Sequence, residues 1–433
     1  MNIHPTGEQM NEKYRPQFHF TPARNWMNDP NGLLYYKGKY HLFFQHNPQA
    51  NIWGNMSWGH AVSTDLYSWQ ELPVAINCTP TSGIFSGSAV VDFENTSGFG
   101  TTEKPPIVAI YTEHQNDESN QSQCLAYSVD EGLTFTKYEG NPVLDINLPN
   151  FRDPKVSWID GRWIMTLALP QEFKISFYSS PNLKAWTHLS DFGPAAEVGG
   201  IWECPDLFQL GDKWVLIVSL NPGGFQIGSG TQYFVGQWNG KEFIADDVQT
   251  RWIDYGRDNY AGVTFSNAPD NKRIFLGWMS NWDYAVKVPT DPWRSAMTVP
   301  RELSLQANTL VQTPIEKPGG FPEVSFTTCS GAIRIHENPE RFAEIGVRDG
   351  KIYVDTTHAW NEIAAPLLQE VPATTAEVDF RVIVDRGSIE VFAAGSTVCI
   401  TNLVLVDTAL HYVETMGEVN DLKLQQLYRE QQG

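Results

Sequence analysis

Three carboxylates in this chain stand at matching places in a repeated pattern. NDPNGLLYYKGKYHLFFQH from Asn28, RDPKVSWIDGRWIMTLAL from Arg152 and ECPDLFQLGDKWVLIVSL from Glu203 each run carboxylate, proline, strand, turn glycine, strand. The acids are Asp29, Asp153 and Glu203. Gly38, Gly161 and Gly211 follow them by 9, 8 and 8 residues, the length of one strand plus a tight hairpin turn. If the repeats fold alike, the three acids meet. Like charges held within a few ångströms repel and push at least one pKa upward, a cost that functional sites exploit. One use is glycoside cleavage, in which one carboxyl attacks the sugar while a second, kept protonated, gives its proton to the departing oxygen. The other is a hard-cation site, because Ca²⁺ also gathers carboxylates.

Local sequence suggests how the roles divide. Glu203 lies between Trp202 and Cys204-Pro205, an apolar shoulder expected to desolvate its carboxyl and favour the protonated form, as a general acid needs. Asp153 follows Arg152, whose guanidinium, folded back, would hold it ionised as an acceptor for sugar hydroxyls. Asp29 is flanked by Asn28 and Asn31, amides that orient it without neutralising it, and it is the nucleophile candidate. Taken singly, Asp-Pro is a common turn starter, and Trp53, Trp58, Trp69 and Trp186 each read as core. The recurrence of an acid at one repeat position is what favours function. No metal site is expected, because the ten histidines show no ligand spacing. No cofactor is expected either: NPGGFQIGSG from Asn221 is neither a phosphate-binding nor a dinucleotide-binding sequence. The serines of FSGSA lack a triad arrangement.

The elements that must position these acids are short strands. STDLYSW from Ser63, SSPNLKAW from Ser179 and SVDEGLTF from Ser128 close successive units, and two weaker units run from Phe85 to His114 and from Asp258 to Trp282. Five units of about 50 residues, each of about four strands, predict a five-bladed β-propeller. The first strand of each blade lines the central channel, so corresponding residues converge on the axis. After Arg301 the segment ELSLQANTLVQTPIEKPGGFPEV is rich in turn formers. KIYVDTT, AEVDFRVIVDRGSIEVFAAG and TVCITNLVLVD then alternate with period two, as β-sandwich strands do. The expected all-β organisation is a flexible segment over 1–14, a five-bladed β-propeller over 15–312, a linker over 313–325 and a C-terminal β-sandwich over 326–433. The stretch from Leu422 to Arg429 reads equally as a strand or a short helix.

Composition sets the outer limits. The 433 residues carry 30 Lys and Arg against 50 Asp and Glu, a net charge of −20, and no basic cluster suits nucleic acid. With 41% apolar and 18% charged residues, the chain is folded and globular. No run of 18 or more apolar residues offers a membrane span, and the first fourteen residues hold no signal-peptide core, so a cytoplasmic location is expected. Five scattered cysteines predict reduced thiols. A homo-oligomer is compatible with everything in the sequence.

The motifs NWMNDPNG (Asn25 to Gly32), FRDPKV (Phe151 to Val156) and WECPDLF (Trp202 to Phe208), in this order, resemble those of the family 32 glycoside hydrolases, the group of invertases, exo-inulinases and levanases. The resemblance covers essentially the whole chain, and VDRGSIEVF (Val384 to Phe392) resembles the family's sandwich motif. It implies a propeller followed by a sandwich. It also implies a retaining exo-β-fructofuranosidase that releases terminal fructosyl units from sucrose and fructo-oligosaccharides through a covalent fructosyl-enzyme. Asp29 would be the nucleophile, Glu203 the acid/base and Asp153 the transition-state stabiliser. Asn28, Gln45, Trp53, Phe85, Ser86, Arg152 and Trp278 would contact the fructosyl unit. Asn259 stands where relatives carry an aromatic, and Ser295 where many carry Gly. Two alternatives stand beside this reading: fructosyl transfer from the same intermediate, and a non-catalytic carbohydrate-binding propeller, which would have lost one of the acids.

Overall fold

In the computed structural model, which describes residues 12–359, 363 and 367–429, five four-stranded antiparallel sheets follow one another along the chain. Blade one is Asn25–Tyr36, Lys39–Asn47, Ser57–Ser63 and Trp69–Ile76; blade two is Ser82–Val91, Ile107–Gln115, Gln121–Ser128 and Thr136–Lys137. Blade three is Arg152–Ile159, Arg162–Leu169, Lys174–Ser180 and Thr187–Phe192; blade four is Ile201–Leu210, Lys213–Asn221, Gly230–Trp238 and Phe243–Ala245. Blade five is Tyr260–Thr264, Ile274–Met279, Arg301–Gln306 and Thr309–Pro314. The first strands pack on one another in the cyclic order one, two, three, four, five and back to one, which is the closed ring of a five-bladed propeller. The two weaker sequence repeats are blades two and five.

The repeat follows from local chemistry. Second strands such as IVAIYTEHQ and KWVLIVSLN each hold an unbroken run of six buried residues, because both of their faces meet a neighbouring blade, and β-branched and aromatic residues suit that position. In blades one and three the first two strands are joined by two-residue turns, Lys37-Gly38 (φ 46 and 82) and Asp160-Gly161 (φ 50 and 77). Both residues of such a turn need positive φ, which is why glycine recurs there. Blade five closes on blade one: Tyr35 N–H donates to Ser266 O and Ser266 N–H to Leu33 O, each at 2.9 Å, while Trp293–Arg294 pairs in parallel with Asn25–Trp26.

The last propeller strand ends at Pro314 and the next begins at Glu323, so strands enter the expected linker from both ends. The sandwich has a five-stranded sheet containing Glu323–Thr328, Val378–Asp385, Ser388–Ala393, Val398–Leu403 and Asn420–Gln425. Its six-stranded partner contains Ala332–Asn338, Arg341–Arg348, Lys351–Asp355, Leu368–Pro372, Tyr412–Met416 and Tyr428–Arg429. The open choice over 422–429 resolves as strand. Between the sheets lies one apolar core, with Phe326 and Phe380 stacked at 4.6 Å. Of the expected N-terminal segment, residues 1–11 lie outside the described residues; Tyr14 packs beside Tyr284, Val288 and Leu405.

A buried polar seam joins propeller to sandwich. Arg301, fully buried, donates to Asp254 (3.0 Å), Gln312 (3.1 Å), Glu390 (2.7 Å) and Thr401 (2.7 Å). His19 bridges Asp385 and Glu390 at 2.8 Å each. Burial alone would strip His19 of its proton, but the two carboxylates outweigh it and push its pKa up to about 9. A histidine raised in the folded state contributes stability that is complete below its unfolded pKa and is lost as pH rises through the folded one. The contribution here is on the order of 3 kcal/mol. His19→Gln should therefore lower the melting temperature by a few degrees at pH 6, with the gap to the parent narrowing by pH 10; a gap independent of pH would show that His19 is uncharged.

Candidate active site

All five inner strands break their hydrogen-bond ladder near the same end. Register slips between Met27 and Pro30, Ile84 and Gly87, Arg152 and Lys155, Glu203 and Asp206, and Tyr260 and Val263. Pro30, Pro154 and Pro205 lie at three of these bulges, where a residue without N–H costs no ladder bond. Asp153, Cys204 and Ala261 take positive φ of 66, 48 and 53 there. A bulge turns side chains out of strict alternation, and these turn theirs toward one pocket of about 490 Å³.

Asp29, Asp153 and Glu203 all line that pocket, with Asn28, Gln45, Trp53, Phe85, Ser86 and Arg152. The acids reach it from three staggered positions, not one. Glu203 is the last paired residue before its bulge, Asp153 the first unpaired residue of its own, and Asp29 the second. The sequence pattern set carboxylate and proline ahead of the strand; in all three blades they lie inside it.

Hydrogen bonds fix each acid. Asp29 Oδ1 accepts from Asn28 Nδ2 (2.9 Å) and Oδ2 from Ser86 Oγ (2.6 Å), while Asn28 Oδ1 is itself held by Trp26 Nε1 (2.8 Å). Asp153 Oδ2 accepts from Cys204 N–H at 2.9 Å. The Cys204 thiol lies 3.6 Å from both Asp29 Oδ2 and Asp153 Oδ2. Arg152 Nε and Nη2 grip Glu203 Oε1 at 3.0 and 2.9 Å, and Tyr260 Oη donates to Oε2 at 2.5 Å. Arg152, Glu203 and Tyr260 are the last paired residues before the bulges of blades three, four and five. Equivalent positions thus form one chain of contacts.

Electrostatics corrects two expectations. Arg152 bonds Glu203, not its neighbour Asp153. Burial raises Asp153 to about 7; Arg152 opposes the rise, and the charges of Glu203 and Asp29 add to it. Asp29 is also raised, by burial first, against the bonds from Ser86 and Asn28 and with the Glu203 charge. The apolar shoulder expected for Glu203 is absent on one side. Strand alternation turns Trp202 away into the core beside Phe192 and Phe234, with Nε1 donating to Glu197 O.

Trp278 does not line the pocket. It is fully buried on a second strand, within 4.9 Å of the Trp282 ring, and the chain leaves that strand so that Trp282 forms the wall instead. Trp282 N–H donates to Ser229 Oγ at 3.0 Å, which fixes the turn. Asn259 donates to Asp254 at 3.2 Å, outside the pocket, and the aromatic at this corner is the next residue, Tyr260. Ser295 is buried outside the pocket lining. Sequence reasoning missed Tyr260, Cys204 as a contact of two acids, and Trp282. Aligning DNYAG with the RDPK and ECPD corners would have found Tyr260. The outer wall is aromatic: Phe85 stacks on His114 at 4.4 Å, with Trp53 edge-on at 6.2 Å. Among the described residues no group of three or more His, Cys, Asp or Glu is arranged to hold a metal ion.

Comparison with known proteins agrees with this architecture. Residues 19–314 match the glycosyl hydrolases family 32 N-terminal domain, and residues 330–426 the family's C-terminal domain. A levanase of Bacillus subtilis is 42% identical over 96% of this chain and 70% of its own length. An extracellular exo-inulinase of Aspergillus awamori is 37% identical over 95% of this chain and 94% of its own. The crystal structure of exo-inulinase from that organism superposes with a TM-score of 0.89, covering 96% of this chain and 99% of the other at 36% identity. A β-fructofuranosidase of Schwanniomyces occidentalis complexed with fructosyl-erythritol gives 0.82 at 33% identity, over 95% and 98% of the two chains. Ring, bulged acids and both domain matches together make the chain a member of glycosyl hydrolase family 32.

Proposed function

We propose that the protein is a retaining, exo-acting β-fructofuranosidase that removes terminal fructosyl units from sucrose and from fructans. The observation that carries this reading is the meeting of Asp29 and Asp153 at one thiol, with Glu203 the adjacent residue, in a pocket blind at its inner end. Below the acids Lys155 Nζ donates to Thr264 O at 2.5 Å and lies 3.5 Å from Asp206, filling the axis. A blind pocket takes a chain end and refuses a chain middle. Levanase, exo-inulinase and β-fructofuranosidase relatives support fructose polymers and sucrose as substrates.

In this reading Asp29 attacks the anomeric C2 while Glu203 protonates the leaving oxygen. Water activated by Glu203 then hydrolyses the fructosyl-enzyme. The raised pKa of Asp153 means that the three acids hold a proton near neutrality. Sugar hydroxyls donating to Asp153 favour its ionised form. Asp153, ionised, then faces the positive charge that grows on the ring. Tyr260 and Arg152 orient the Glu203 carboxyl for both proton transfers.

Fructose release from sucrose, 1-kestose, inulin and levan tests the substrate class, and NMR of the first-formed anomer tests retention: the β anomer must appear first. Asp29→Ala should lose turnover by at least about four orders of magnitude, and Glu203→Gln by about two to four, with melting temperatures held. Because Asp29 and Asp153 must both be ionised and both are raised, the acid limb of kcat/KM should fall above the ordinary carboxyl range of about 4. A limb at or below that range contradicts the assignment. The same shifts set stability. A carboxyl raised by folding costs stability at every pH above its unfolded value. Asp153→Asn, which can still accept from Cys204 N–H, should therefore melt a few degrees higher than the parent at pH 8 and level with it at pH 4.

A further inference from the structure

The propeller axis has a second mouth. At the far ends of the same inner strands lies a cavity of about 610 Å³, larger than the one that holds the acids. The Lys155–Thr264–Asp206 contacts described above separate the two. Three tryptophans line it. Trp158, 44% exposed, meets Trp163 edge-on at 4.7 Å, and Trp163 is locked by its indole N–H on Thr96. Trp214 stands opposite on blade four, and Phe93, 52% exposed, forms the lip. Among the described residues neither the Trp158 nor the Trp214 indole N–H has a hydrogen-bond partner. Arg273 lines the cavity from blade five with its guanidinium over the Phe208 ring at 5.2 Å. Among the described residues its side chain makes no hydrogen bond or ion pair, its buried Nε is unpartnered, and the nearby charge of Asp206 attracts it.

A half-buried guanidinium without an acceptor, beside aromatic faces and free indole donors, asks for a ligand rich in oxygen acceptors with a flat apolar side. The charges exclude a strong anion. Asp92, Glu94 and Asp160 also line the cavity, and its second cation, Lys272, is committed to Glu302 at 2.8 Å. A neutral polyol meets both demands: hydroxyl oxygens accept from Arg273 and the indoles, hydroxyl protons go to the exposed Glu94 and Asp160, the buried Asp92 being already bonded to Thr96 and Ser97, and the C–H face lies on Trp158. We propose that this mouth is a second, non-catalytic binding site for a neutral oligosaccharide chain. It holds the chain on the face opposite the pocket that contains the acids. The choice of fructans as its first ligands rests on the function proposed above; the site's chemistry does not.

The test uses the full chain carrying Asp29→Ala, so that nothing is hydrolysed. It is titrated by calorimetry with inulin-type and levan-type oligosaccharides, and with maltopentaose and cellopentaose as arms of other linkage. Two sites per molecule are expected for at least one probe. Adding Trp158→Ala or Arg273→Gln should weaken one of them by at least about tenfold and leave the other unchanged. In the otherwise native enzyme the same substitutions should leave sucrose turnover and melting temperature unchanged while raising KM for polymer. Failure of every probe to show a site that Trp158→Ala and Arg273→Gln weaken overturns the proposal, whether or not a second site is seen. Absence of fructose release by the native enzyme would sink the function proposed above and leave this titration interpretable, since maltopentaose and cellopentaose report on the far mouth alone.

Discussion

Three carboxylates share the upper mouth of this propeller with one guanidinium, and much of the surrounding structure answers that imbalance. Arg152 gives two hydrogen bonds to Glu203 and spends a third nitrogen on Gln121 and Asn150. Asp29 and Asp153 are left with neutral donors: an amide, a hydroxyl, a backbone N–H and a thiol. Neutral donors orient a carboxylate but do not cancel its charge. Burial therefore raises both pKa values, and the fold carries the strain as lost stability. A carboxylate that would rather be neutral is also one that gains when positive charge appears beside it. The arrangement is costly at rest and favourable in a cationic transition state, which is the asymmetry that catalysis requires.

Holding such a cluster demands a rigid frame, and the ring supplies one. Each inner strand is clamped between two others, so the bulges at its upper end have no freedom to relax outward. The five bulges differ in chemistry but share a place: Asn28-Asp29, Phe85-Ser86, Asp153-Pro154, Cys204-Pro205 and Ala261-Gly262 interrupt the five ladders. Gly262 has Phe275 ring atoms within 2.0 Å of where a Cβ would stand, so that bulge tolerates only glycine. The sandwich braces the ring from outside. Arg301 and His19 neutralise Asp254, Asp385 and Glu390 at the seam; there, in contrast to the mouth that holds the three acids, nearly every buried carboxylate has a cation. The same residue types thus serve opposite ends: paired charges lock two domains, and underpaired charges are kept ready at the pocket.

Much of this was legible in the sequence because the repeat is written in strong signals. Turn glycines at fixed distance, X-Pro beside an acid and alternating apolar strands named the ring and its contents. What failed did so for geometric reasons. Reading neighbours in sequence as neighbours in space sets Arg152 on Asp153 and Trp202 beside the Glu203 carboxyl. Strand alternation sends adjacent side chains to opposite faces, and the real partners come from the next blade. The stagger of Asp29, Asp153 and Glu203 across three bulge positions could not be read either. One inserted residue per bulge leaves no mark in spacing beyond the extra residue between Asp29 and Gly38. Trp282 replaced Trp278 because a strand end, invisible to composition, decides which indole reaches the wall.

The two mouths of the axis differ in how that geometry is used. At the upper mouth bulges break alternation and bring polar residues of consecutive positions inward, which crowds charge beneath an aromatic wall of Trp53, Phe85 and Trp282. At the lower mouth the inner strands of blades one, three and four pass into two-residue turns, while those of blades two and five lead into longer connections. There the side chains that diverge as the ring widens are large and aromatic, among them Phe93, Trp158, Trp163 and Trp214. Between them Lys155 and Asp206 compensate one another inside the channel, with Thr264 fixing both. That pair lies between the two mouths, and the two pockets share no lining residue. A substitution at the lower mouth therefore acts on a surface that the three acids do not line.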